Sequence, residues 1–415
     1  MPDSRSSTEA TEQTAWLAAE CDRLLDFAEA SRDPAGGFRW LDVDGRPDPS
    51  RPIEAWITCR MTHVFALAHV LGRPGALDFV AHGVAALNDL LRDAEYGGWY
   101  AAVGPEAATD KKAYDHAFVI LAAASAKAAG ARGADSLLDE ALDVVDRRFW
   151  READGLVVDV YDRTWTNLEP YRGVNANMHM TEAFLAAYTT LGDNTLRDRA
   201  ARITQRVVHE WAPAHDYRIP EHFDEDWQPW LDYNRDNPAH PFRPYGATVG
   251  HWLEWARLAL HVRAALGDAA PDWLLDDARA LFFAATEEGW SVDGADGFVY
   301  TVDWDGTPVV RDRLHWVLCE GIAAAATLEQ LTGEQLYAQW QATWWAFART
   351  YHLDERGGSW WHQLDPNNQP ATSVWPGKPD AYHAVQATLL PRFPLTASVM
   401  QSVLEGGKRG PVGGR

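Results

Sequence analysis

Apolar positions recur at helical spacing along almost the whole chain. MTHVFALAHVLG, DHAFVILAAASAKAAG and EGIAAAATLEQLTG place Ala, Leu and Val on the i, i+3, i+4 rhythm, and Ala and Leu are strong helix formers. Four runs stop at a glycine, Gly72, Gly130, Gly192 and Gly333, the residue suited to the left-handed turn that closes a helix. Between the runs comes a second signature, Gly-Gly or Asp-Gly with a bulky apolar residue just after it. Its markers are Gly37, Gly98, Gly155, Gly297 and Gly358. They stand about 60 residues apart, with one double interval between Gly155 and Gly297. The unit inside that interval lacks the marker, and an enlarged loop around 215–244 is expected there. A pair of helices with a connecting hairpin fills such a period, and six pairs close a ring. The pattern predicts an all-α (α/α)6 barrel of six inner and six outer helices.

Each predicted inner helix has a histidine near its start: His63, His116, His179, His251, His315 and His383. Equivalent positions in a cyclic repeat point to one end of the barrel, so a ring of imidazoles is expected at one mouth. One catalytic domain is expected over 12–395. A disordered N-terminus, 1–11, and a flexible Gly-rich tail, 396–415, are expected to flank it.

Charge narrows the function. Lys and Arg total 37 against 60 Asp and Glu, and the net charge of −23 repels phosphate backbones and anionic lipid. Neither a nucleic-acid nor a membrane partner is expected. Three cysteines make no disulfide framework. The polar, acidic N-terminus shows no signal-peptide pattern, so a cytoplasmic protein is expected. The 21 Trp serve equally as core filling or as flat faces for sugar rings.

Helical spacing groups the candidate chemistry. Trp56, Arg60 and His63 share a face, as do Asn175 and His179, and Trp316 and Glu320. His251 and Glu254 stand at i, i+3, close enough for the carboxylate to orient the ring. Tyr114 and Asp115 directly precede His116. Neutral imidazoles can take and return a proton near neutral pH, and an arginine can steady an oxyanion. The two His-x-x-Glu pairs do not reproduce zinc-protease or di-iron spacing, so no metal is expected. Phosphate loops and nucleophile elbows are absent. Cys59 and Cys319 read as buried thiols.

TCRMTHVFALAHVLGRPG, YDHAFVILA, YRGVNANMHMTEAFLAAY, YGATVGHWLEWARLAL, LHWVLCEGIAAA and VWPGKPDAYHAVQA follow one another in that order. Together, over about residues 15–393, they resemble the N-acylglucosamine 2-epimerase superfamily, in its aldose–ketose isomerase branch. The resemblance implies an (α/α)6 barrel that works without a metal or other cofactor on a monosaccharide. It implies that His383 and His251 form the acid/base pair, with Glu254 beside His251, and that Arg60 contacts the reacting C1–C2 oxygens. His179 and Asn175 match sugar contacts; Trp56, Tyr114, Trp316, Glu320 and Trp375 fall in pocket segments. The RMTH and WPGKPDAYH segments look closest to mannose isomerases, which implies interconversion of D-mannose and D-fructose through a cis-enediolate. A mannose 2-epimerase shares the first half of that reaction. A sulfoquinovose isomerase would need a sulfonate reader, for which Lys378 is one candidate. A glycoside hydrolase would cast Glu254 and Glu320 as its carboxylates, and a sugar-binding module would use only the Trp. Oligomeric state stays open.

Overall fold

The computed structural model describes residues 4–409, and the side chains of 11–407. Its helices alternate in two concentric layers. The inner ring runs α2 (Ala55–Val70), α4 (Ala113–Ala128), α6 (Val174–Leu191), α9 (Val249–Leu266), α11 (His315–Thr332) and α13 (Tyr382–Leu389). Each packs on the next, and α13 returns to α2. Outside lie α3 (Ala76–Asn88), α5 (Ala134–Val144), α7 (Asn194–Thr204), α10 (Trp273–Gly289) and α12 (Gln335–Phe347), each on the inner helix before it. The first helix, α1 (Ser4–Ala28), is the outer partner of α13, so the two chain ends complete the ring. A short helical turn, α8 (Ala212–Ala214), extends α7.

The layers differ as their sequences do. Inner α4 buries nearly every side chain from Ala113 to Ala126, because it touches helices on three sides, and its many alanines allow that closeness. Outer α5 buries only Ala134, Leu137, Leu138, Ala141 and Val144, one stripe of an amphipathic helix. Gly72, Gly130, Gly192 and Gly333 all take left-handed backbone at the helix ends they were expected to close.

The two residues before each of the first five inner helices are extended and pair with the hairpin of the following unit. The antiparallel pairs are 53–54 with 102–103, 111–112 with 160–161, 172–173 with 222–223, 247–248 with 301–302, and 313–314 with 363–364. The Lys378 N–H donates to the Leu41 carbonyl at 2.8 Å where the ring closes. Every inner helix therefore starts at the same end, and first-turn side chains converge there.

Buried ion pairs brace these hairpins. Asp93 holds Lys111 at 2.9 Å, Asp293 holds Arg313 at 2.6 Å, and Asp354 holds Lys378 at 2.6 Å. Lys378 also donates to the Gly358 carbonyl and is wholly buried, so it pins the last hairpin and reads no sulfonate. The expected enlarged loop is present: no strand or helix occupies the stretch between 223 and 247.

Both expected tails differ. Residues 4–11 are helical rather than disordered, since nothing between Pro2 and Ala28 breaks a helix that Leu17, Cys21, Leu24 and Leu25 anchor. Residues 399–409 form α14 (Val399–Arg409) rather than a flexible tail. Val399, Met400 and Val403, at i, i+1 and i+4, bury against α2, α6 and α13 at the far end of the barrel from the helix N-termini. Residues 1–3 and 410–415 of those expectations lie outside the described residues. Among the described residues no helix is long and apolar enough to cross a membrane.

Candidate active site

The converging helix starts line a cavity open at its mouth, with about 630 Å3 of empty space including the solvent at that opening. Trp56, Arg60, Tyr114, Asn175, His179, His251, Glu254, Trp316, Trp375 and His383 all line it, as their sequence positions predicted. His315, His362, Asp380, Tyr300, Phe242 and three prolines complete the wall.

Two imidazoles, from the helices on either side of α11, pack against one indole of α11. The Trp316 ring centre lies 5.3 Å from that of His251 and 5.7 Å from that of His383. Gly250 makes room for the indole, because a Cβ there would stand 2.3 Å from it. Each imidazole has a carboxylate behind it. His383 Nδ1 lies 2.9 Å from Glu320 Oε1, and His251 Nδ1 lies 2.9 Å from Glu221 Oε2. Each Nδ1 is turned to its carboxylate, which leaves Nε2 of both rings toward the cavity, where a neutral ring can accept a proton and a protonated one can donate.

This corrects two expectations. The carboxylate that orients His251 is Glu221, from the loop before 222–223, and not Glu254, which lines the cavity but turns its carboxylate to other partners. Glu254 Oε1 lies 3.8 Å from His179 Nδ1 and 3.4 Å from the Arg257 guanidinium. Glu320 does not line the cavity: its two oxygens are taken by His383 and by Arg257 Nε at 2.8 Å. The pair Glu254 and Glu320 consequently cannot flank a glycosidic bond.

The ring of six histidines is also corrected. Four of the six reach the cavity. His63 sits two turns down α2, buried against Ser125 Oγ at 2.7 Å. His116 faces outward into the hairpin, where its Nδ1–H donates to the Lys112 carbonyl and its Nε2 accepts the Trp99 N–H. Burial pushes both rings down to about 3, so they stay neutral. The marker glycine explains that fit: a Cβ on Gly98 would stand 2.8 Å from His116 Nε2. In their place His362 enters from the last hairpin and stacks on His315 at 3.7 Å. No helical periodicity pointed to it.

Arg60 is held from two sides. Its guanidinium donates to Asp380 Oδ2 at 3.2 Å and to the Tyr114 hydroxyl at 3.1 Å. The rings of Trp56, Phe118 and Tyr382 stand 4.6–5.0 Å from it. Burial disfavours its charge, but Tyr114 and Asp380 more than restore it, and it stays cationic. Burial also pushes the Asp380 carboxyl up, yet Arg60 holds it below its ordinary value. Asp380 was within the WPGKPDAYH segment but unassigned.

One side of the mouth is aromatic. Trp40, Trp56, Trp375 and Phe242 meet at ring-centre distances of 5.4–6.1 Å. Polar atoms around the cavity are short of partners. Arg60 Nε, Asn175 Oδ1, His179 Nδ1 and His315 Nε2 are buried and make no hydrogen bond within the protein. Native interiors satisfy nearly all buried polar groups, so four orphans around one cavity mark a place for a polyhydroxylated ligand.

Two groups, His179–Glu182–Glu254 and Glu254–Glu320–His383, bring metal-ligand atoms within 4.8 Å of one another. The Arg257 guanidinium lies 3.4 Å from Glu254 and 2.8 Å from Glu320, and 3.9 Å from Glu182, so a resident cation already answers these carboxylates. Exhaustive EDTA treatment is therefore expected to leave turnover unchanged. Loss of activity restored by a single divalent ion would defeat that expectation.

Comparison with known proteins agrees with this architecture. The family model for N-acylglucosamine 2-epimerase matches residues 36–387. A D-mannose isomerase of Thermobifida fusca is 55% identical, over 93% of this chain and 95% of its own. Another from Pseudomonas cannabina pv. alisalensis is 51% identical, over 94% of each. A crystal structure of D-mannose isomerase superposes with a TM-score of 0.85 at 29% identity, over 91% of this chain and 97% of that one. With an (α/α)6 barrel, paired imidazoles at its mouth and a match along nearly its whole length, the chain belongs to the N-acylglucosamine 2-epimerase family.

Proposed function

We propose that this protein is an aldose–ketose isomerase that interconverts D-mannose and D-fructose without a metal. The observation that carries the reading is the pair of carboxylate-backed imidazoles packed against Trp316, with Arg60 in the same wall. The near-full-length likeness to two D-mannose isomerases supports mannose as the aldose.

In this reading the pyranose enters with its apolar face against the aromatic wall and opens, one proton leaving O1 and one reaching the ring oxygen. In the open aldose the carbonyl acidifies the C2 proton. Nε2 of His383 takes it while His251 gives a proton to O1. The cis-enediol oxygens lie against the Arg60 guanidinium, which offsets their developing charge. In the second half His383 returns its proton to C1, and His251 takes the O2 proton as the C2 carbonyl forms. Both histidines end as they began. Burial holds His383 below the ordinary imidazole value, so it is neutral and ready to accept a proton near pH 7. Glu221 holds His251 through Nδ1 and so turns its Nε2 toward the sugar oxygens, the position of the donor in this reading. A cytosolic setting is part of the proposal, since Cys21, Cys59 and Cys319 are buried free thiols.

The test is an early NMR time course with C2-deuterated mannose. Fructose is expected first, with part of the label at C1 and the rest lost to solvent. Glucose appearing before fructose would replace this reading with a mannose 2-epimerase, and no product from mannose would end it.

A further inference from the structure

The two imidazoles are backed unequally. Glu221 has one protein partner, His251, and its Oε1 is buried and unpaired. Glu320 bridges two groups, accepting from His383 Nδ1 on one oxygen and from Arg257 Nε on the other. Arg257 is fully buried on α9, two helical turns below the cavity rim, and does not line the cavity.

We propose that Arg257 is a positioning residue that works through Glu320: by neutralising and aiming that carboxylate it keeps His383 an unprotonated base. The geometry argues for this in steps. A carboxylate with no other cation would draw a proton onto the imidazole it faces. Arg257 spends that charge, so the three-group chain is electrically balanced with His383 neutral. Its Nε–H, 2.8 Å from Oε2, also holds Glu320 in the orientation that presents Oε1 to Nδ1, which sets the tautomer and leaves Nε2 toward the sugar.

The surroundings favour the same state. Around the guanidinium stand Glu182 and His179 from α6, Glu254 and His261 from α9, Glu320 from α11 and Tyr382 from α13, while His383 itself is faced by Glu320, by Arg60 from α2, by His179 from α6, by His315 from α11, and by Asp380 and His362 from the loops. The Tyr382 hydroxyl donates to Glu182, and Gln386 Nε2 donates to it at 3.4 Å. Burial and then repulsion from Glu320 push Glu254 well up, so it need not compete for the guanidinium. Burial also works against Glu320, but Arg257 and the His383 hydrogen bond overcome it and hold that carboxyl at about 2.

The experiment compares Arg257→Gln and Arg257→Lys with the wild type in two ways. The first is the pH profile of kcat/KM for mannose. Losing the cation should move the acid limb up by about one pH unit or more, with KM nearly unchanged. Arg257→Lys keeps the charge and should keep the limb in place, whatever it costs in kcat. A folded Arg257→Gln whose profile only drops, with no shift, would reduce Arg257 to a structural role and overturn the proposal. So would a Lys variant that shifts as far as the Gln variant.

The second readout is the His383 imidazole titration, followed by carbon-13 histidine NMR in the sugar-free enzyme. It needs no turnover, and although the proposal rests on the isomerase reading for its first readout, this one stands if that reading fails. The wild-type midpoint should lie below about 6.5, the ordinary imidazole value. A wild-type midpoint at or above that value would overturn the proposal even if Arg257→Gln does not fold.

Discussion

Replacing His383 by alanine is expected to lower kcat about 10²–10⁴-fold while the barrel stays folded. That is the range for removing one general base from a positioned site. The fold should survive because Glu320 keeps Arg257 at 2.8 Å when the imidazole is gone, so no buried charge is stranded. KM should change far less than kcat, since the aromatic wall and the unpartnered polar atoms that would meet the sugar remain. Exchange of the mannose C2 proton with solvent deuterium separates the two histidines. It should vanish with His383 and persist in part in His251→Ala, which removes the donor to O1 and leaves the base. Circular dichroism establishes folding, and NMR follows both turnover and exchange. A folded His383→Ala with turnover near wild type would remove His383 from the mechanism.

How legible the site was depends on where each residue sits. The barrel could be read because its units repeat about every 60 residues and because the inner helices are apolar all round. Residues on the first turn or two of those helices, such as Arg60, His179 and His251, could be read from helical spacing. The same logic overreached at His63 and His116. Being near a helix start fixes neither depth nor direction: two turns lower on α2 is beneath the cavity, and one residue's rotation on α4 is outside it. Neighbourhood in sequence misled at His251, where Glu254 at i+3 looked like the natural partner. The partner came from Glu221, thirty residues away, because the extended pair 172–173 with 222–223 carries that loop over the mouth. Glu221, Asp380, His362 and Phe242 all lie outside the regular helices, where no periodicity marks a side chain's direction. The Trp load resolved both ways. Trp99, Trp252, Trp255, Trp344 and Trp360 are buried core, while Trp56, Trp316 and Trp375 line the cavity.

Arg60→Met is expected to reduce kcat about 10²–10³-fold, the loss seen when one donor to a developing oxyanion is removed. Three features make the guanidinium suited to that task. It stays charged in spite of burial, its Nε has no protein partner, and Asp380 with Tyr114 holds its other nitrogens in place. The variant will also be less stable, because Asp380 is left ionised in the interior with its cation gone. Breaking one member of such a pair costs about 3–5 kcal/mol. Stability and catalysis can be separated by a second change. Asp380→Asn removes the stranded charge while keeping an amide oxygen for the Tyr382 N–H. The double variant Arg60→Met/Asp380→Asn should therefore regain much of the lost melting temperature and none of the lost kcat. If kcat returned along with stability, the arginine would be a brace for the wall and the enediolate would have to find its positive charge elsewhere. If Arg60→Met kept kcat within a few-fold of wild type, the proposed stabilisation of the C1–C2 oxygens by Arg60 would be wrong.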